Sequence, residues 1–322
     1  MMKHILRIVA ILLALICLLV LIPSGTIVAQ AEIIEYDLKA KKGVPLQADG
    51  YNLEEMTYED PSISVKIETG RFMETNYMVA RVKIAGPTQL RSTMSGSYYS
   101  PSTIVGTSMA KSVNAALAIN GDYFSARNGV GYVARMGKEY RNRCNGKFDV
   151  LAIDNLGDLH IIQTPLKEDM TAFKAQLEAE GKSIVNGYTF GPGLVINGER
   201  QLNLTADMDD SLINAFAALR SAQRMCLAQV GPLEYLCICS EGPEDPGSTG
   251  LTLDQFSELV ASFEGIQNAY NLDGGSSTTM VFQKLDPKTG KRAYDKVNSP
   301  NNPKRRHLND IIYFASAWQP EK

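Results

Sequence analysis

The chain has 322 residues, 44% of them hydrophobic, and a formal net charge of −3. That length allows one large domain or two ordinary ones, with apolar content enough for a sizeable core. The near-balanced charge shows no basic stripe and so no footprint for nucleic acid. The short cluster Lys304-Arg305-Arg306-His307 reads as a surface turn or a small anion contact.

In chain order, the first feature is a targeting segment. Lys3, His4 and Arg7 precede an apolar run from Ile8 to Ile22, broken by Pro23-Ser24-Gly25 and followed by the small-residue stretch Ala29-Gln30-Ala31. That is the layout of a signal peptide. The run is shorter than the ~20 residues of a spanning helix, although an uncleaved anchor would fit a thin bilayer or a tilted helix. Residues 1–31 are therefore assigned as signal peptide or membrane anchor, with the remainder outside the cytoplasm. Residues 32–60 are polar and irregular, and read as an N-terminal extension. From 61 to 322 no convincing linker or repeat interrupts the chain, so one domain is expected.

Ile63–Ile67 and Tyr77–Ile84 alternate apolar and polar residues as half-buried strands do. Residues 91–103 are rich in Ser, Tyr and Thr and read as a loop. Val113–Phe124 is an apolar segment ending in Asn120-Gly121-Asp122, where Asn-Gly is also a hairpin signal. Phe148–Gln163 reads as a hairpin, and Thr171–Glu180 as a helix stopped by Gly181. Phe190–Gly198 is a Gly/Pro turn feeding a strand, and Met225–Ser240 supplies two apolar runs around Gly231-Pro232. Thr252 and Gln255 form a capping-box pattern opening a helix that runs to about Phe263. Asn268–Leu272 and Asp310–Ala315 are the last clear strands. The fold class expected is α/β (mixed α+β), with a central mixed sheet flanked by helices.

Cysteine usage points to packing. Cys17 lies in the leader, and Cys237 and Cys239 would share one face of a strand. Together with Cys144 they suit a core, and a single bridge from Cys226 to Cys237 or Cys239 stays open in an exported protein. His160 and His307 are too few for a His/Cys metal site. The chain has no Gly-x-Ser-x-Gly elbow of a serine hydrolase.

The most informative stretch is Tyr270-Asn-Leu-Asp-Gly-Gly-Ser-Ser-Thr-Thr-Met-Val-Phe282. An apolar run reaches the carboxylate of Asp273, passes through Gly274-Gly275, and continues into the four hydroxyl residues Ser276–Thr279. An acid delivered to a glycine turn with accessible N–H groups suits an anionic or polyhydroxyl ligand. The plain alternative is a strand, a tight turn and a second strand.

In order, Ala118–Phe124, Gly191–Gly198, Leu219–Gln223, Ser240–Gly242, Leu251–Leu253, Asn271–Val281 and the tail Arg305-Arg306 with Asp310–Tyr313 resemble the phosphodiester glycosidase family. The resemblance is strongest over 110–316. Two places depart from it: Arg220-Ser-Ala-Gln-Arg224 stands where related bacterial sequences read Arg-Thr-Ala-Ile-Gly, and Glu241-Gly-Pro243 where they often read Asp-Gly-Arg. The resemblance implies hydrolysis of a sugar-1-phosphodiester at the anomeric carbon, releasing a phosphomonoester. Such a reaction needs a carboxylate near the developing oxocarbenium ion, a path for water, and donors for the phosphate.

On that reading Asp273 is the carboxylate at the anomeric centre, with Asp122 or Glu241 as second acid/base. Arg220 is the first choice for the phosphate and Arg306 the second, since a guanidinium binds two oxygens at once. Asn120 and Ser276 would hydrogen-bond the substrate, and Gly121, Gly274 and Gly275 would let backbone approach it. No cofactor is required. Asp122, Glu241 and Asp273 could together hold a divalent cation, or could repel one another so that one stays protonated. The expected partner is a cell-surface polysaccharide or glycoconjugate, with the membrane if the leader is retained. Competing readings are a phosphodiesterase that cleaves P–O, and a non-catalytic carbohydrate-binding or exopolysaccharide-assembly protein.

Overall fold

The computed structural model describes residues 32–126, 129–206, 208–286, 288–302 and 304–320. The leader assigned to 1–31 lies outside the described residues. Among the described residues, Ile33–Trp318 form one unit, while Glu32 and Gln319–Pro320 belong to a separate terminal one.

The main unit is built on three sheets. The largest, nine-stranded, runs Glu199–Arg200, Gly193–Ile196, Asn268–Asn271, Arg224–Gly231, Glu234–Ser240, Thr75–Ile84, Ile63–Phe72, Thr57–Asp60, Tyr51–Asn52. A five-stranded sheet, the central sheet below, orders Arg292–Lys296, Met280–Leu285, Ala115–Asn120, Asp310–Ala315 and Leu90–Met94. The other five-stranded sheet, the lateral sheet, orders Lys138–Arg143, Gly131–Arg135, Ile184–Tyr188, Val150–Asp154 and Leu159–Ile162.

This corrects the expected fold class. The protein is predominantly β, with several antiparallel sheets and few helices. Short connections make hairpins, whereas parallel strands need crossovers of a dozen residues or more. Alternation along the strands then splits the apolar residues between cores. Leu117, Ile119, Ile312 and Phe314 face the main core, which also takes Val82, Leu227 and Ile238 of the nine-stranded sheet and Leu151 and Tyr188 of the lateral sheet. Ala118, Ile311, Tyr313 and Ala315 face the other way, onto Met109, Ala110 and Val113 of the Gly106–Ser112 helix and the residue after it.

Several local expectations hold. Ile63–Phe72 pairs with Thr75–Ile84, and Val150–Asp154 with Leu159–Ile162. The Lys167–Ala179 helix is followed by Gly181 at φ +74°. Thr252 and Gln255 cap the Leu253–Ala261 helix reciprocally.

Residues 33–60 lie in the main unit, with Tyr36, Val44, Tyr51 and Tyr58 buried in its cores. The stretch expected as a loop over 91–103 begins as the Leu90–Met94 edge strand. Cys144, Cys226, Cys237 and Cys239 are all free and buried. Cys226 stands opposite Ile238, and Cys237 opposite Leu227, so the bridge left open from the sequence is not formed. Burial pushes the Cys144 thiol up to about 11.

Candidate active site

Strand ends from all three sheets converge. In the central sheet Ile311 lies opposite Asn120, so Asn120-Gly121 and Asp310 emerge at the same end. A Cβ on Gly121 would come within 2.3 Å of the Asp310 carboxylate, so only glycine allows this approach. The lateral sheet contributes Arg135, the last residue of its Gly131–Arg135 strand. The nine-stranded sheet contributes Asp273, two residues beyond Asn268–Asn271.

The Asp-Gly-Gly segment is therefore not a hairpin. It carries the chain out of the nine-stranded sheet and into Met280–Leu285 of the central sheet. Gly275 sits at φ +58°, and a Cβ on Gly274 would stand 2.8 Å from the carbonyl of Gln223. The Gly275 N–H donates to that same carbonyl at 2.8 Å, so it is engaged within the protein.

Arg135 organises the charge. Its guanidinium is buried, with Nη2 at 2.7 Å from both Asp122 and Asp310 and Nε at 3.0 Å from Asp310. Nη1 donates to the carbonyls of Ala134 and Gly187, and the Tyr188 ring lies 4.0 Å from the guanidinium carbon. Asp122 accepts from Arg135 through one oxygen and from the Thr189 N–H, at 2.8 Å, through the other. One cation thus faces two buried carboxylates, with Asp273 acting on Asp310 as a third negative charge. Burial raises the Asp310 carboxyl to about 7; Arg135 opposes the rise, and Asp122 and Asp273 add to it. Like-charge crowding therefore occurs, centred on Asp310 instead of among the three acids singled out from the sequence.

Asp273, half-buried, lines a cleft with Asn120, Gly121, Tyr123, Ser277, Arg306, His307, Asn309 and Asp310. Asn120 is a brace. Its amide donates to the carbonyls of Asp273 at 2.7 Å and Gly121 at 3.1 Å, and accepts from Thr279 N–H at 3.0 Å. Arg306 and His307 are exposed at the rim of this cleft, and Ser276 is exposed beside it.

The remaining sequence candidates lie elsewhere. Asp122 is fully buried behind the cleft, with both oxygens occupied. Glu241 lines a second cleft with Arg71, Asn76, Tyr77, Asp245 and Asn301. Its carboxylate accepts from the Ser299 N–H at 2.5 Å and from the Ser299 hydroxyl. Burial raises its pKa, and these two hydrogen bonds oppose the rise. The two acidic loops nonetheless meet at one place: a Cβ on Gly242 would stand 2.7 Å from the Gln223 nitrogen, much as one on Gly274 would meet its carbonyl. Arg220 is exposed and offers its carbonyl to Arg224 at 2.9 Å.

Arg224, the cation that departs from related sequences, is a staple. Its guanidinium donates to the carbonyls of Phe216, Ala217, Arg220 and Leu251. Burial lowers its pKa to about 10. Asp122, Glu241 and Asp273 do not converge, and among the described residues no group of three or more His, Cys, Asp or Glu is placed to hold a metal. Reasoning from sequence missed Arg135 and Asp310. The available signal was a charged residue closing or opening an apolar strand, Gly131-Tyr-Val-Ala-Arg135 and Asp310-Ile-Ile-Tyr313.

A family model described as phosphodiester glycosidase matches residues 113–315, a span that encloses every charged residue of the convergence. The chain belongs to the phosphodiester glycosidase family. Among solved structures it is similar to the catalytic domain of zebrafish N-acetylglucosamine-1-phosphodiester alpha-N-acetylglucosaminidase, auto-inhibited by its pro-peptide. That match has 16% identity and a TM-score of 0.60, covering 85% of this chain and 87% of the other. At that identity the likeness establishes a shared fold. A hypothetical protein from Synechocystis matches at 15% identity and a TM-score of 0.49, over 78% of this chain and 62% of its own. No curated protein matches the chain.

Proposed function

We propose that this member of the phosphodiester glycosidase family hydrolyses sugar-1-phosphodiesters by breaking the C–O bond at the anomeric carbon. One observation carries the reading: Asp273 and Asp310 line the same cleft, and Asp310 is held near a neutral pKa. A pair of carboxyl groups at the scissile bond is what glycosidic cleavage requires.

Asp273 supplies negative charge to the oxocarbenium-like centre, as nucleophile or as electrostatic stabiliser. Asp310, protonated at or below neutral pH, gives its proton to the leaving oxygen or, once ionised, takes one from water. A phosphate ester leaves readily, so a weakly acidic donor suffices. Arg306 and His307 stand at the rim, where they would meet a phosphate. Asn120 fixes the backbone of Asp273, which places it among positioning residues. The products are free sugar and a phosphomonoester.

The apolar leader with its basic flank supports an exported protein, either released or held at the outer face of the membrane. Surface polysaccharide or glycoconjugate is then the accessible substrate.

The test is hydrolysis of a panel of sugar-1-phosphodiesters in oxygen-18 water. Label in the sugar, with Asp273→Asn reducing release about 10³-fold, supports the reading. Label in the phosphate moves the assignment to a P–O-cleaving phosphodiesterase. Full activity in a normally folded Asp273→Asn removes Asp273 from the mechanism. Binding of saccharide without turnover leaves a carbohydrate-binding or polymer-assembly role.

A further inference from the structure

The Ser95–Ser102 loop carries two adjacent aromatic residues at its tip: Tyr98, which packs on the buried Phe124, and Tyr99, which stands outside the core. Tyr99 is 76% exposed. The tip is well fixed. The Ser100 N–H donates to Ser97, the Ser102 hydroxyl donates to the Ser95 carbonyl at 2.9 Å, and the Ser95 hydroxyl donates to the Ser102 carbonyl. Asn309, a residue of the Asp273 cleft, holds the loop from below. Its carbonyl accepts from the Ser95 N–H at 2.7 Å, and its amide donates to the Ser102 carbonyl at 3.0 Å.

The rings of the loop pack inward onto the buried Phe124 ring, next in sequence to a residue of the cleft. Tyr98 stacks on Tyr140 at 5.0 Å and on Phe124 at 5.6 Å, and Tyr99 stands edge-on to Tyr98 at 5.3 Å. Phe124 follows Tyr123, which lines the cleft, is 37% exposed, and is held at φ +53°. That left-handed conformation is disfavoured for a bulky residue and, seen at a site, points to function. Tyrosine gives large contact area for little conformational entropy, and serine gives adaptable hydrogen bonds. Apolar ring faces rimmed by hydroxyls match a neutral sugar ring, which presents C–H groups on its face and hydroxyls at its edge.

We propose that Tyr99, supported by Tyr98 and Tyr140, is a stacking subsite for a neutral sugar ring beside the one whose bond is cleaved. This rests on the glycosidase reading and deepens it: the substrate is a phosphoglycan with at least one further saccharide unit. A substrate with a small alkyl or lipid group in its place would leave Tyr99 unused.

Binding of unphosphorylated tetrasaccharides of glucose and of N-acetylglucosamine to the protein, read by saturation-transfer NMR and titration calorimetry, tests the subsite. Tyr99→Ala should weaken binding roughly three- to tenfold, the scale of one lost ring contact, and Tyr99→Phe should retain it. With a phosphodiester that turns over, Tyr99→Ala should raise KM for an oligosaccharide-bearing substrate, leave kcat unchanged, and leave a methyl phosphodiester of the single sugar unaffected. Tetrasaccharide binding or KM values indifferent to Tyr99→Ala, or no tetrasaccharide binding at all, overturn the subsite. Because the binding arm needs no turnover, it reads the subsite even if the glycosidase reading fails. Turnover indifferent to Tyr99 overturns the subsite alone.

Discussion

The two acidic clefts use the same functional group in opposite ways. At Asp273 and Asp310, two buried carboxylates, Asp122 and Asp310, share one fixed cation, Arg135, and burial, with added negative charge from Asp122 and Asp273, raises the Asp310 pKa to about 7. At Glu241, one buried carboxylate is satisfied by two donors of a single residue, Ser299, and the nearby Lys296 is half-buried with its pKa lowered by burial. The first arrangement holds a proton available for transfer. The second holds a carboxylate still. Burial raises the proton affinity of both carboxyls, and the neighbours differ: added negative charge reinforces the rise at Asp310, whereas the two Ser299 donors oppose it at Glu241.

The sharpest way to break this comparison is to neutralise each acid. Asp310→Asn should lower kcat about 10²- to 10⁴-fold, the usual share of a proton-transferring group, and remove a limb of the pH–rate profile near 7. Glu241→Gln should cost less than about tenfold; a larger loss there than at Asp310 would reverse the assignment. Next come the cations. Arg135→Met strands two buried carboxylates and should cost about 3–5 kcal/mol in denaturant unfolding, whereas Lys296→Met should stay within about 1 kcal/mol.

The linkage is a third measure. Asp310 has a folded pKa near 7 against an ordinary 3.8. The stability that its proton contributes is complete below pH 4 and is lost as pH rises through 7. Wild-type stability should therefore fall over that window relative to Asp310→Asn, as thermal melts across pH would show. A parallel pair of curves would place the proton elsewhere. The smallest effect tests what the clefts share. Gly274→Ala and Gly242→Ala each press a methyl against the Gln223 backbone and should cost about 1–3 kcal/mol. Only Gly274→Ala should also lower kcat, because it displaces Asp273.

Local rules were legible where the chemistry is local. The Thr252/Gln255 cap, the glycine stop at Gly181 and the hairpin at 154–158 follow from propensities of adjacent residues. Asp273 was legible because a carboxylate before two glycines is unusual in an apolar run. What the sequence hid depends on which sheet each strand joins. The Tyr270–Phe282 pattern is the same for a hairpin and for a crossover between sheets, and only the crossover puts Asp273 beside Asp310. Arg135 and Asp310 are 175 residues apart, and each is a lone charge at a strand end. Nothing near either signals the other. In residues 33–60 the four scattered apolar anchors Tyr36, Val44, Tyr51 and Tyr58 make no periodic pattern, so their burial could not be read from the sequence.

All three sheets bring members of the charge cluster: Arg135 from the lateral sheet, Asp310 and, just past a strand end, Asp122 from the central one, Asp273 from the nine-stranded one. A chain in which any one sheet has yet to dock has no cluster, whatever its other two have achieved. On the proposed reading, hydrolytic competence arrives with the last step of assembly, so that the appearance of activity during refolding would time the docking of the final sheet.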